Sequence, residues 1–165
     1  MTLQNYTNDN LIIDLCSGIG RFESDEYNVI SIDINPETKP TICADIRYLP
    51  LKPGLNPRLV HASPTCTYVS KARRWGSGWN PKGIAESLDL IAACYRAFDY
   101  LGAKRCSLEN PAGLCDILGK KVKFKYDKYD IKNATTHVYL SHKSQKRAIV
   151  PKDVRQTILE LTNYE

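Results

Sequence analysis

The sequence predicts an α/β domain, a mostly parallel sheet with helices on both faces. Three observations carry this expectation. Short apolar runs recur along the chain and are separated by turns. One long amphipathic stretch lies between two of these runs. A glycine-containing turn directly follows the first run, the position where an open parallel sheet presents backbone to a ligand. Strands that alternate with helices are buried from both sides, so they show nearly continuous apolar character.

Taken in order, Leu11 to Leu15, Val29 to Ile32, Leu59 to Ala62 and Cys106 to Leu108 are the expected strands. Ile84, Leu88, Ile91, Tyr95 and Phe98 recur at spacings of three and four, which predicts a helix of about five turns. Val122 to Tyr126 and Thr136 to Leu140 alternate as strands do and are expected to close as a hairpin or edge. Val150 to Leu161 is the last expected helix, with Pro151 suited to its first turn. The connection from Thr67 to Pro81 is long, contains glycine, and carries Lys71, Arg73, Arg74, Trp75 and Trp79. A loop of that length inside one domain is usually functional.

The 165 residues suffice for one domain, and no linker, repeat or low-complexity tract divides them, so residues 1–165 are expected to form a single minimal unit. With 42% hydrophobic and 25% charged residues, the composition is that of an ordinary globular protein. No apolar run approaches the roughly 20 residues of a membrane helix, and the polar start is unlike a signal peptide. A cytoplasmic location, with no membrane partner, is the expectation; a viral or mobile-element origin fits it. The formal charge of +5 suits a nucleic-acid partner without requiring one. Six cysteines show neither a C-x-x-C pair nor a histidine at zinc spacing, so no metal site and no disulfide framework is expected. Cys94 and Cys106 lie in helical and strand patterns as small core residues.

The first strand ends at Asp14-Leu15, and Gly18 and Gly20 then let backbone approach a ligand without a Cβ. Asp33 ends the second strand, where a carboxylate can accept from both hydroxyls of a ribose. Asp45 ends a third extended segment and can accept from an exocyclic adenine amine. A dinucleotide site would place glycine where Glu23 stands, and an acid there disfavours pyrophosphate. S-adenosylmethionine has no phosphate and carries a sulfonium cation, which suits an acidic loop. Downstream, Ser63-Pro64-Thr65-Cys66 follows the third strand and mounts a thiol at its end. Glu109-Asn110-Pro111 follows the fourth, so Glu109 is expected to face the same crevice as Cys66.

In this order and at these separations the three segments resemble the cofactor loop, nucleophile and acid of the cytosine-C5 DNA methyltransferases. The resemblance runs from residue 11 to about residue 155 and is carried by the short motifs. It implies a Rossmann-like S-adenosylmethionine-dependent methyltransferase fold and a DNA (cytosine-5-)methyltransferase activity of the restriction-modification type. It further implies that Cys66 is the nucleophile and Glu109 the acid. S-adenosyl-L-methionine would be held by Asp14, Cys16, Gly18, Ile19, Gly20, Asp33, Ile34, Asp45, Ile46 and Pro64. Cys16 stands where the family has an aromatic residue, Thr65 where it has a second proline, and Pro111 where it more often has valine. Small phage-type members are the better match, because only short loops occupy the interval where longer members carry a target-recognition domain.

DNA is the implied partner, as a duplex with its base flipped or as a single strand. The phosphate and base contacts would fall to Ser70, Lys71, Arg73, Arg74 and Trp75. His137 or Arg147 would stand in for the arginine pair that follows the acid in the family, and a second subunit or partner would supply target recognition. Three other readings of the same residues stay open: methylation of an amino group (N4 or N6) of DNA, a catalytically degenerate protein that binds cofactor or DNA, and action on a free pyrimidine nucleotide.

Overall fold

A computed structural model describes residues 8–69, 80–103 and 105–109, together with residues 123–125 and 135–137. Five strands form one all-parallel sheet: β1 (Leu11–Leu15), β2 (Asn28–Asp33), β3 (Ile42–Cys43), β4 (Leu59–Ala62) and β5 (Cys106–Leu108). Their spatial order is β3-β2-β1-β4-β5, a Rossmann-like topology. The chain builds outward from β1 through β2 to β3, then returns to lay β4 on the other side of β1. The order therefore reverses between β1 and β4, and ligands of such sheets bind beyond the strand ends at that reversal. A separate antiparallel pair joins β6 (Lys123–Lys125) and β7 (Thr135–His137), within and beside the two segments expected to pair; the rest of those segments lies outside the described residues.

All five residues of β1 are buried, as the centre of a parallel sheet requires. Leu11, Ile13 and Leu15 share one face with Ile30, Ile32, Val60, Ala62 and Leu108, and together they form the core against the long helix. That helix, α1 (Pro81–Leu101), is the one α-helix among the described residues. Asn80 caps it by accepting from the Gly83 N–H, Pro81 opens its first turn, and it ends at Gly102. The β1–β2 connection is irregular, and the next two crossovers contain only the 3-10 turns Pro36–Thr38 and Ile46–Tyr48. Helices over both faces are thus not seen among the described residues.

The buried stripe of α1 differs from the expected one. Gly83, Ser87, Ile91, Cys94, Phe98 and Leu101 face inward, whereas Leu88 and Tyr95 are exposed. The helix is turned by about one residue because its inner face is made of small side chains that allow close approach. At its start the ring of Tyr68 sits over Gly83 so tightly that a Cβ there would lie 2.5 Å from ring carbons. Cys94 is fully buried as expected, but Cys106 is exposed at the start of β5.

Candidate active site

Two loops meet where β1 and β2 end. Gly18 has φ +55, a left-handed backbone that glycine adopts without strain, and its N–H donates to Asp33 Oδ2 at 2.8 Å. Asp33 Oδ1 accepts from the Asn35 N–H at 2.8 Å, so this carboxylate ties the two loops together while staying partly exposed. Asp14 does the corresponding work one layer deeper. It is 2% exposed, and its Oδ2 accepts from the Phe22 N–H at 2.8 Å, which holds the irregular β1–β2 connection without a helix. Ile19 and Ile34, each next to a member of the Gly18–Asp33 bond, are 61% and 64% exposed. Exposed isoleucines at a strand-order reversal are apolar surface that a flat ligand can cover.

The remaining residues of this end lie as follows. Cys16 has φ +53 and directs its thiol to Cys94 on α1; that hydrogen bond, with burial, pushes the thiol well above its usual pKa. Asp45 caps the turn Ile46–Tyr48 by accepting from the Arg47 N–H and forms an ion pair with the Arg47 guanidinium at 2.7 Å. That guanidinium holds the Asp45 carboxyl below its ordinary value. Ile46 is buried beneath it. A partly exposed carboxylate at the second strand end, a glycine with open space where a Cβ would be, and apolar side chains beside both thus meet at this end of the sheet.

The ends of β4 and β5 hold a chain of polar side chains. His61 is 2% exposed, and its Nδ1 lies 2.7 Å from Ser107 Oγ on β5. Its Nε2 lies 2.9 Å from Ser63 Oγ, and the Ser63 hydroxyl donates to Glu109 Oε2 at 2.9 Å. The backbone sustains this arrangement, because Glu109 N–H donates to Ala62 O at 2.7 Å and Ser63 N–H to Leu15 O at 3.0 Å. The ladder therefore continues one residue past each strand and aims both side chains from fixed positions. The ring of Phe22 packs edge-on to His61, with centroids 4.8 Å apart. Glu109 itself is 6% exposed.

Cys66 follows three residues after Ser63. Its carbonyl accepts from the Val69 N–H, which closes a turn that the Tyr68–Gly83 contact fixes against α1. The residue is 3% exposed, and Pro64 is also buried. The Ser63–Glu109 bond thus joins the segments that carry the two expected catalytic residues, beside the glycine turn of β1. Ser70, Lys71, Arg73, Arg74, Trp75 and Arg147 lie outside the described residues, and so does the expected helix from Val150 to Leu161. His137 ends β7, opposite Lys123. Among the described residues no cluster of three metal-ligating side chains occurs, and no helix is long and apolar enough to cross a membrane.

Sequence reasoning missed His61, Ser107 and Phe22 and used Ser63 only as part of a motif. A signal was present. His61 and Ser63 are two residues apart, as are Ser107 and Glu109, so a period of two puts each pair on one face of its strand. Comparison of the chain with models of protein families, with curated proteins and with solved structures found no match.

Proposed function

We propose that this protein is an S-adenosylmethionine-dependent methyltransferase acting on C5 of cytosine in DNA. The observation that carries the reading is the Ser63–Glu109 hydrogen bond, which couples the Ser-Pro-Thr-Cys segment to the acid at neighbouring strand ends, next to the Gly18–Asp33 loop pair. C5 of cytosine is a poor nucleophile until the ring is activated. The Cys66 thiolate would add to C6 while Glu109 gives a proton to N3, where negative charge would otherwise accumulate. Bound S-adenosylmethionine would supply the electrophilic methyl group. Loss of the C5 proton, departure of the thiolate from C6 and return of the N3 proton to Glu109 would then restore the ring and the enzyme. Gly18, Asp33, Ile19 and Ile34 would hold the cofactor, and the 67–81 segment would meet DNA phosphates through Arg73 and Arg74.

The deciding experiment is a covalent trap. DNA containing 5-fluorocytosine cannot lose fluorine as it loses a proton, so an adduct with Cys66 should accumulate in the presence of S-adenosylmethionine. It should vanish in Cys66→Ser, a far weaker nucleophile near neutral pH. Glu109→Gln should slow transfer greatly and leave cofactor binding nearly intact. A labelled methyl on an exocyclic nitrogen would redirect the reading to amino-group methylation. The burial of Cys66 favours a second reading, a binding protein without catalysis. Cofactor binding by calorimetry with no transfer to any DNA or nucleotide would establish that alternative.

A further inference from the structure

The Ser107–His61–Ser63–Glu109 chain lies on the face of the sheet opposite α1, and the Ser63–Glu109 bond sets a direction for the rest of it. Ser63 has a single hydroxyl proton, and it goes to Glu109 Oε2. Ser63 Oγ can then only accept from His61, so His61 Nε2 carries a proton. In the neutral ring Nδ1 is the acceptor and takes the Ser107 hydroxyl proton. Each donor therefore points toward the carboxyl group. The geometry points to a role for this chain beyond packing: we propose that Ser107, His61 and Ser63 are positioning residues that aim Glu109 and stabilise the negative charge it acquires when it protonates the base. This rests on the methyl-transfer reading of Glu109.

The physical case has three parts. The chain is fixed at every member, since His61 and Ser107 stand in register on β4 and β5 and the Phe22 ring packs against the imidazole. It is shielded at the ring and the carboxyl, because His61 and Glu109 are nearly inaccessible to solvent, while Ser63 and Ser107 are half-buried. A preorganised donor in a water-poor site is worth most where charge develops during the reaction. When Glu109 gives its proton to N3, the carboxyl becomes a carboxylate and the Ser63 hydrogen bond becomes charge-assisted and stronger. No proton crosses the chain; Ser63, His61 and Ser107 each keep their own. The Glu109 proton moves to N3, and the electron pair of the broken O–H bond stays on the carboxylate.

Two measurements on the full-length protein test this. Nitrogen-15 NMR of the His61 ring, assigned among the three histidines by comparison with His61→Gln, should show a proton on Nε2. Single-turnover methyl transfer should fall about 100-fold in Ser63→Ala, the lower end of the range for removing one preorganised donor, with cofactor affinity unchanged. Ser63→Thr, which keeps a hydroxyl, should recover most of the rate, and Ser107→Ala should lose less than Ser63→Ala because it acts through the ring. A neutral ring with bare Nε2, an undiminished rate in Ser63→Ala, or equal losses in the Ala and Thr variants would each overturn the proposal. Wild-type protein that traps no 5-fluorocytosine DNA, with the Nε2 proton present, would sink the methyl-transfer reading instead of the hydrogen-bond chain.

Discussion

The two faces of the sheet are built differently. Toward α1, β1 presents Leu11, Ile13 and Leu15 and β4 presents Val60 and Ala62, all buried and apolar. On the other face, beside the fully buried Ile12 and Leu59, a row of polar residues crosses the strands in register: Ser31 on β2, Asp14 on β1, His61 on β4 and Ser107 on β5. Asp14, Ser31 and His61 are as inaccessible as the apolar residues behind them. Burying polar groups costs free energy unless each finds a partner, so this row can exist only as a satisfied network. Ser31 exchanges bonds with Thr41, Asp14 holds the Phe22 N–H, and His61 uses both ring nitrogens. The first face holds the fold through non-directional burial; the second gives up apolar area and gains fixed directions at the strand ends.

Breaking the apolar face should give the largest effect. Ile13→Ala, at a position with no exposure, should cost about 2–5 kcal/mol in a urea titration. The loss would be global, with cofactor affinity following stability. On the polar face, Asp14→Ala leaves the Phe22 N–H without its acceptor and should cost about 1–3 kcal/mol. It sharpens the comparison if calorimetric affinity for S-adenosylmethionine falls by more than stability does, because the loop that bears Gly18 loses its anchor.

Gly83→Ala probes where α1 meets the Cys66 turn. The alanine gains up to about 1 kcal/mol in helix propensity, but its Cβ meets the Tyr68 ring, and overpacking of this kind costs about 1–3 kcal/mol. The expected balance is a small net destabilisation, with faster alkylation of Cys66 because Tyr68 must move. Slow labelling of Cys66 in that variant, at the wild-type rate, would show that the turn does not depend on the contact.

Arg47→Ala should have the smallest effect, on a surface guanidinium that pairs with Asp45 and, at 3.6 Å, with Asp89 of α1. The Asp45 carboxyl, depressed by Arg47, should return toward 3.8 in an NMR titration. Because the folded value is the lower one, the pair's stabilisation is complete above 3.8 and is lost as pH falls through the depressed value. The variant should lack that acid-range component. Near neutral pH its stability should be close to wild type.

The apolar face was legible in the sequence because its strands are runs of Leu, Ile and Val that no amphipathic helix would show. Four strands and α1 fall where the patterns put them, and so does the turn that carries Gly18. The polar face was not legible, since a search for apolar runs treats Asp14 and His61 as interruptions when they are members of a second, in-register set. The inward face of α1 was also misjudged: hydropathy favours Leu88 and Tyr95, whereas contact with Tyr68 and Cys16 selects Gly83 and Cys94. Small residues carry little hydropathy signal, and their role emerges only once another element approaches them. Ser63 and Glu109 lie 46 residues apart in the chain, so no local pattern announces their bond.

The irregular β1–β2 connection has a further consequence for how this region breathes. A helix would protect its amides as a cooperative block, but here the Gly18 and Phe22 amides are each held by a single carboxylate. In hydrogen–deuterium exchange this stretch should therefore appear as isolated slow sites among fast neighbours, each released by its own local opening. Asp33→Ala, which removes the more exposed anchor, should free the Gly18 amide while the Phe22 amide stays slow, so the segment would come undone from its solvent side inward.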